Sequence, residues 1–131
     1  MIMTVSMVSG LATVGEAEVN GGELKVFTHM LYEIEKGIRP LALHTVAESC
    51  VAVAIAKLAS RQMAWFLQPV PGSKRFNLFF GETPCITLMK QLLRGRTLTD
   101  LSPEEDFMLG ALLGYDLTRQ CVRFIDRKTQ S

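Results

Sequence analysis

The sequence predicts an α+β domain: a small three-stranded sheet with about four to five helices, the last of them long. Three observations predict it. Apolar stripes at spacings of three and four alternate along the chain with short apolar runs of strand length. The dipeptide Pro71-Gly72 joins two of those runs into a hairpin. A capping box, Ser102 to Glu105, opens a C-terminal stretch of helical periodicity.

Taken in order, residues 1–22 are expected to be a disordered extension, 23–128 a single α+β domain and 129–131 a tail. The extension has no base before Lys25, unlike a secretory leader, and is too short to cross a bilayer. Asn20-Gly21-Gly22 reads as a hinge. Leu24, Phe27, Leu31 and Ile34 then form a helical stripe ended by Gly37. Val26, Thr28, Met30, Tyr32 and Ile34 also alternate as a strand would; the helix is preferred.

Leu41–Val46 reads as the first strand. Thr45 and Glu48 are spaced as a capping box for a second helix, with Val51, Ile55 and Leu58 on its core side. Ala64–Val70 is apolar on both faces and is expected at the centre of the sheet. Arg75–Phe80 returns beside it. Thr83-Pro84 starts a helix that ends at Gly95.

Pro103–Arg127 reads as one long helix, with acids in its first turn and Arg123, Arg127 and Lys128 near its end, as the helix dipole favours. Phe107, Gly110, Gly114, Leu117, Cys121, Phe124 and Ile125 make one stripe, while Met108 and Leu112 make another side apolar too. Such a helix packs on more than one face. Gly110 and Gly114 are expected to admit a close neighbouring backbone.

Composition narrows the function. Hydrophobic residues are 48% of the 131 residues and charged residues 21%, which excludes disorder and is rich for so small a monomer. A homodimer is expected. The net charge of +1, with no basic run longer than that of Lys74-Arg75, gives no track for phosphates, so no nucleic-acid partner is expected. No basic amphipathic helix points to a membrane surface. Cys50, Cys85 and Cys121 are scattered, without a C-x-x-C, and read as small buried hydrophobes in a reducing cytoplasm. With His29 and His44 the only histidines, no metal site and no cofactor are expected.

Four segments carry a resemblance: His29-Met-Leu-Tyr-Glu33-Ile-Glu-Lys36-Gly37, Arg39-Pro-Leu-Ala-Leu-His-Thr45, Asn77-Leu-Phe-Phe-Gly81, and Leu101-Ser-Pro-Glu-Glu-Asp-Phe-Met-Leu-Gly110-Ala-Leu-Leu-Gly114-Tyr-Asp116. Over about Lys25 to Arg127 the chain resembles the bacterial domain-of-unknown-function family DUF2023. The resemblance implies three strands and about five helices in a homodimer, and no assigned activity. It also implies a link to electron-transfer metabolism, through genes that lie near flavodoxin genes in anaerobic bacteria.

His29 and Glu33 stand one helical turn apart beside Lys36; such a pair serves acid–base work or only decorates a polar face. His44 reads as a half-buried, hydrogen-bonded strand residue. Asn77 binds either a ligand edge or a neighbouring loop. Gly81-Glu82-Thr83-Pro84 is a structural turn, because it lacks phosphate-loop spacing. Tyr115, Asp116 and Arg119 share a polar side of the last helix and suit contact with a partner. None of these supplies both a nucleophile and its activating base, so the leading expectation is a non-enzymatic homodimeric accessory protein that binds a protein partner. The alternative is a sensor or enzyme for a nucleotide- or flavin-like ligand, with His29, Glu33, Arg39 and Asn77 converging on one pocket.

Overall fold

The computed structural model describes residues 14–130, with side chains from residue 21 onward. The elements run α1 (Val14–Glu35), β1 (Leu41–Ala47), α2 (Glu48–Ser60), β2 (Ala64–Pro69), β3 (Arg75–Gly81), α3 (Thr83–Leu92), a 3-10 turn (Leu98–Asp100), α4 (Pro103–Leu112) and α5 (Leu117–Gln130). The α+β class therefore stands: the described residues form five α-helices around a three-stranded antiparallel sheet, with a long helix at the C-terminus.

Side chains alternate across a strand, so β3 feeds two cores at once. Leu78 and Phe80 meet Phe27, Leu31 and Ile34 of α1 and Ala54 and Leu58 of α2. On the other face, Phe79 and Leu41 meet Ile86 and Met89 of α3 and Leu109 and Leu113 of α4. Phe27, Phe79 and Phe80 are fully buried, each contributing on the order of 2–3 kcal/mol of transfer free energy.

Strand order is β1-β3-β2, so the expectation that Ala64–Val70 would be central is corrected. The half-buried profile of β2 is that of an edge strand whose two faces are covered only in part. Local turn chemistry behaves as the residues dictate. Gly72 takes φ +74° in the β2–β3 turn, where Ser73 N donates to Val70 O at 3.2 Å. Gly37, at φ +76°, ends α1 with Gly37 N donating to Ile34 O and Ile38 N to Glu33 O. Gly81 has φ +154°, and a Cβ there would lie 2.2 Å from Pro40 O, so no other residue fits this crossing of β3 past the entry to β1.

Four further expectations change. The helix α1 starts at Val14, so Asn20-Gly21-Gly22 lies inside it rather than acting as a hinge; residues 1–13 of the expected extension lie outside the described residues. Thr45 does not cap α2. It is buried within β1, and Ala47 is the N-cap, its N–H donating to Glu23 Oε1 at 3.0 Å. The buried side of α2 is Cys50, Ala54 and Leu58, with Val51 and Ile55 only half-buried. Of the cysteines, only Cys50 is buried; Cys121 is exposed.

The largest change is at the C-terminus. The expected single helix Pro103–Arg127 breaks after Leu112, where Gly114 takes φ +79°, and α5 folds back along α4. The Phe107 and Phe124 rings meet edge-on at 6.0 Å between centroids. Bases expected to answer the far end of one helix dipole instead lie across the hairpin from acids in the first turn of α4.

Candidate functional site at the α4–α5 hairpin

Of the four residues expected to share a pocket, three meet and one does not. His29 Nε2 lies 3.5 Å from Glu33 Oε2, and Arg39 Nε donates to Glu33 Oε1 at 3.1 Å. Arg39 Nη1 donates to Leu113 O at 3.1 Å. The Arg39 hydrogen bond, foremost, holds the Glu33 carboxyl below its ordinary range. The arrangement ties the end of α1 to the end of α4. His29 is exposed and stacks on Tyr32, over which Lys36 also sits, so the group carries no enclosed reaction space.

Asn77 lies apart from this group. It shares the face of β3 with Phe79, the side covered by α3 and α4, and is fully buried. Thr45 Oγ1 donates to its Oδ1 at 2.9 Å, and Gln68 stands opposite it on β2. Gln68 Nε2 donates to Arg96 O at 2.8 Å, whereas Asn77 Nδ2 and Gln68 Oε1 have no hydrogen-bond partner. The row Thr45–Asn77–Gln68 crosses all three strands as a polar band, buried at Thr45 and Asn77 and half-buried at Gln68.

A second buried group surrounds His44, whose Nε2 is 3.3 Å from Glu23 O. Burial pulls the His44 pKa down, and burial with the neighbouring Glu23 pushes the Cys50 thiol up to about 11. A thiol whose pKa is pushed up to about 11 supplies little thiolate nucleophile near neutral pH. Among the described residues no group of three or more His, Cys, Asp or Glu is placed to hold a metal ion, and no helix is long and apolar enough to cross a membrane.

The hairpin concentrates charge, a cavity and apolar surface. Ser102 and Glu105 form the capping box, Glu105 N donating to Ser102 Oγ at 3.1 Å and Ser102 N to Glu105 Oε1 at 2.9 Å. Arg96 completes that corner, 2.8 Å from Glu105 Oε2; its hydrogen bond to Glu105, then that of the Ser102 N–H, lowers the Glu105 pKa to about 2. Across the hairpin Arg123 Nε donates to Asp106 Oδ2 at 2.6 Å, and Lys128 Nζ to Glu104 Oε2 at 2.9 Å. Gly110 leaves room for Gln120, whose Oε1 would sit 2.1 Å from a Cβ there; the close neighbour expected at this glycine is a side chain, not a backbone.

The inner side of the hairpin borders a half-open cavity of about 510 Å³ against Leu43 of β1 and the 3-10 turn, with Tyr115 among its lining residues. Asp116 Oδ1 accepts from Arg119 N at 3.0 Å, so Asp116 caps α5. The outer side is apolar: Phe107, Cys121, Phe124 and Ile125 line a groove of about 280 Å³, and Leu117, Val122 and Ile125 are 59%, 55% and 59% exposed. No residue of α5 is buried. Leu43, Gln120, Arg123 and Arg127 were not among the candidate residues of the sequence. The signal that could have found them is Gly114-Tyr-Asp116, a helix stop followed by an N-cap.

Residues 25–127 match the family model described as Protein of unknown function (DUF2023), and the chain belongs to that family. No curated protein matches the chain.

Proposed function

From membership of a family with no assigned activity, we propose that this protein is a homodimeric, non-enzymatic accessory protein of the bacterial cytoplasm, paired through the outer face of the α4–α5 hairpin. The observation that carries the reading is α5 itself. It is strongly two-sided, yet none of its residues is buried, and its apolar side, Leu117, Cys121, Phe124 and Ile125, faces outward. An apolar helix side left this exposed is expected to be covered by a second apolar surface. A copy of the same helix offers one, by the self-complementary contact of a twofold pair. Tyr115 and Asp116, at the hairpin turn, would form the rim of that contact.

A protein partner would meet the exposed side of α1, where Val26 and Tyr32 are half exposed beside His29. The link to electron-transfer metabolism belongs to this reading.

Light scattering on the eluting peak of a sizing column tests the dimer. The wild-type chain at micromolar concentration should give twice the chain mass. Leu117→Asp with Ile125→Asp should give the single-chain mass with unchanged far-ultraviolet circular dichroism. A wild-type monomer at that concentration overturns the reading.

A further inference from the structure

We propose that the half-open cavity on the inner side of the α4–α5 hairpin binds a small neutral molecule, an apolar body carrying one hydroxyl group. The volume of about 510 Å³ lies within the range of about 300–1,000 Å³ usual for ligand pockets. Its apolar wall is made by Leu43 of β1, Leu98 of the 3-10 turn, Leu101 between that turn and α4, Leu109 of α4, and Leu113 just after it. Leu101 and Leu113 are only 3% exposed, so the core and not the ligand fixes this wall.

The polar groups of the lining select the ligand. Its three charged residues, Asp106, Arg123 and Arg127, are already engaged within the protein. Arg123 Nε and Nη2 donate to Asp106 at 2.6 and 3.2 Å. Arg127 Nη2 donates to Leu101 O at 2.9 Å, and its Nη1 lies 3.8 Å from Asp106 Oδ1. An ion entering here would give up water without meeting an unengaged counter-charge. The neutral groups are in the opposite condition. Among the described residues, neither the Gln120 amide nor the Tyr115 hydroxyl has a hydrogen-bond partner. Gln120 lies against Gly110, its Oε1 2.1 Å from where a Cβ would stand, so the bare glycine seats the amide in the wall. An amide offers both a carbonyl acceptor and N–H donors, and a hydroxyl answers either. A carboxylate answers only the donors.

The cavity shares no lining residue with the outer groove of the proposed dimer contact, so the two readings fail separately. The test is a titration of the full chain, with leucine methyl groups labelled for NMR, using hexan-1-ol, methyl pentyl ether and hexanoate as probes. The three are of similar length and differ in the polar end. Hexan-1-ol should shift the Leu43, Leu98, Leu101, Leu109 and Leu113 methyls saturably. It should bind about fivefold more tightly than the ether, the margin of one neutral hydrogen bond. Hexanoate, whose charge must be desolvated, should bind about tenfold more weakly than the alcohol. Gln120→Leu, at a half-buried position, should erase the margin of the alcohol over the ether. Absence of saturable shifts overturns the proposal, as does hexanoate binding as tightly as hexan-1-ol. Equal affinity for alcohol and ether in the wild type, or a margin that survives in Gln120→Leu, overturns it too. Shifts confined to Leu117 on the outer face also overturn it and assign the apolar probe to the contact surface.

Discussion

Arg39 and Leu113 stand 74 positions apart in sequence, yet the guanidinium of one donates to the backbone carbonyl of the other at 3.1 Å. The same side chain grips Glu33, and Gly114 leaves room for it, with a Cβ there only 3.1 Å from Arg39 Cβ. One arginine thus joins the end of α1, the entry to β1 and the turn of the hairpin.

Arg39→Ala should lower stability by about 1–3 kcal/mol, because the Leu113 carbonyl and the Glu33 carboxylate both lose a charged donor. Thermal unfolding measures it. The Glu33 pKa is depressed in the folded state, first by the Arg39 hydrogen bond. Its contribution is therefore present above the ordinary value of 4.5 and is lost as pH falls through the lower folded value. Glu33→Gln should remove that part of the acid sensitivity; an unchanged acid profile in Glu33→Gln would show that the pair contributes nothing.

Thr45→Val should cost about 1–3 kcal/mol, since it leaves Asn77 Oδ1 buried without the Thr45 donor, while Nδ2 already lacks a partner. The double variant Thr45→Val with Asn77→Leu removes both polar groups and should lie closer to wild type than the two single losses summed. Urea denaturation of the four proteins in the cycle gives the coupling. Strict additivity would mean that the hydrogen bond is not a stabilising unit.

Acid should also act through His44. Burial depresses its folded pKa, so the unfolded chain takes the proton more readily. Stability is full above the ordinary value of 6.5 and declines as pH falls from there through the lower folded value. His44→Gln should flatten the decline below pH 6.5. Denaturant midpoints across that window measure it, and an equal slope in the variant would assign the decline elsewhere.

Features that a few neighbouring residues decide were legible. Ser102 and Glu105 announce their cap, Gly37 its helix end and Pro71-Gly72 its turn, because each depends on backbone chemistry within about four residues. The order of the strands was not, because Ala64–Pro69 is apolar on both sides whether it lies inside or at an edge. The hairpin was hidden because Leu112-Leu113-Gly114-Tyr115 carries no proline and continues the apolar spacing across the break. Missing that break also hid the cavity, whose walls come from β1, α4 and α5. Grouping Asn77 with His29, Glu33 and Arg39 failed for a related reason: alternation along a strand says that two sides differ, not which helix covers each.

The turn at Gly114 leaves the last helix resting chiefly on one neighbour. Its backbone amides should exchange with solvent well before those of β3, which both cores enclose. Such early exchange would make the C-terminal segment a separable cooperative unit, opening while the sheet stays intact, and any molecule that holds it down would stabilise a part of the chain the rest can spare.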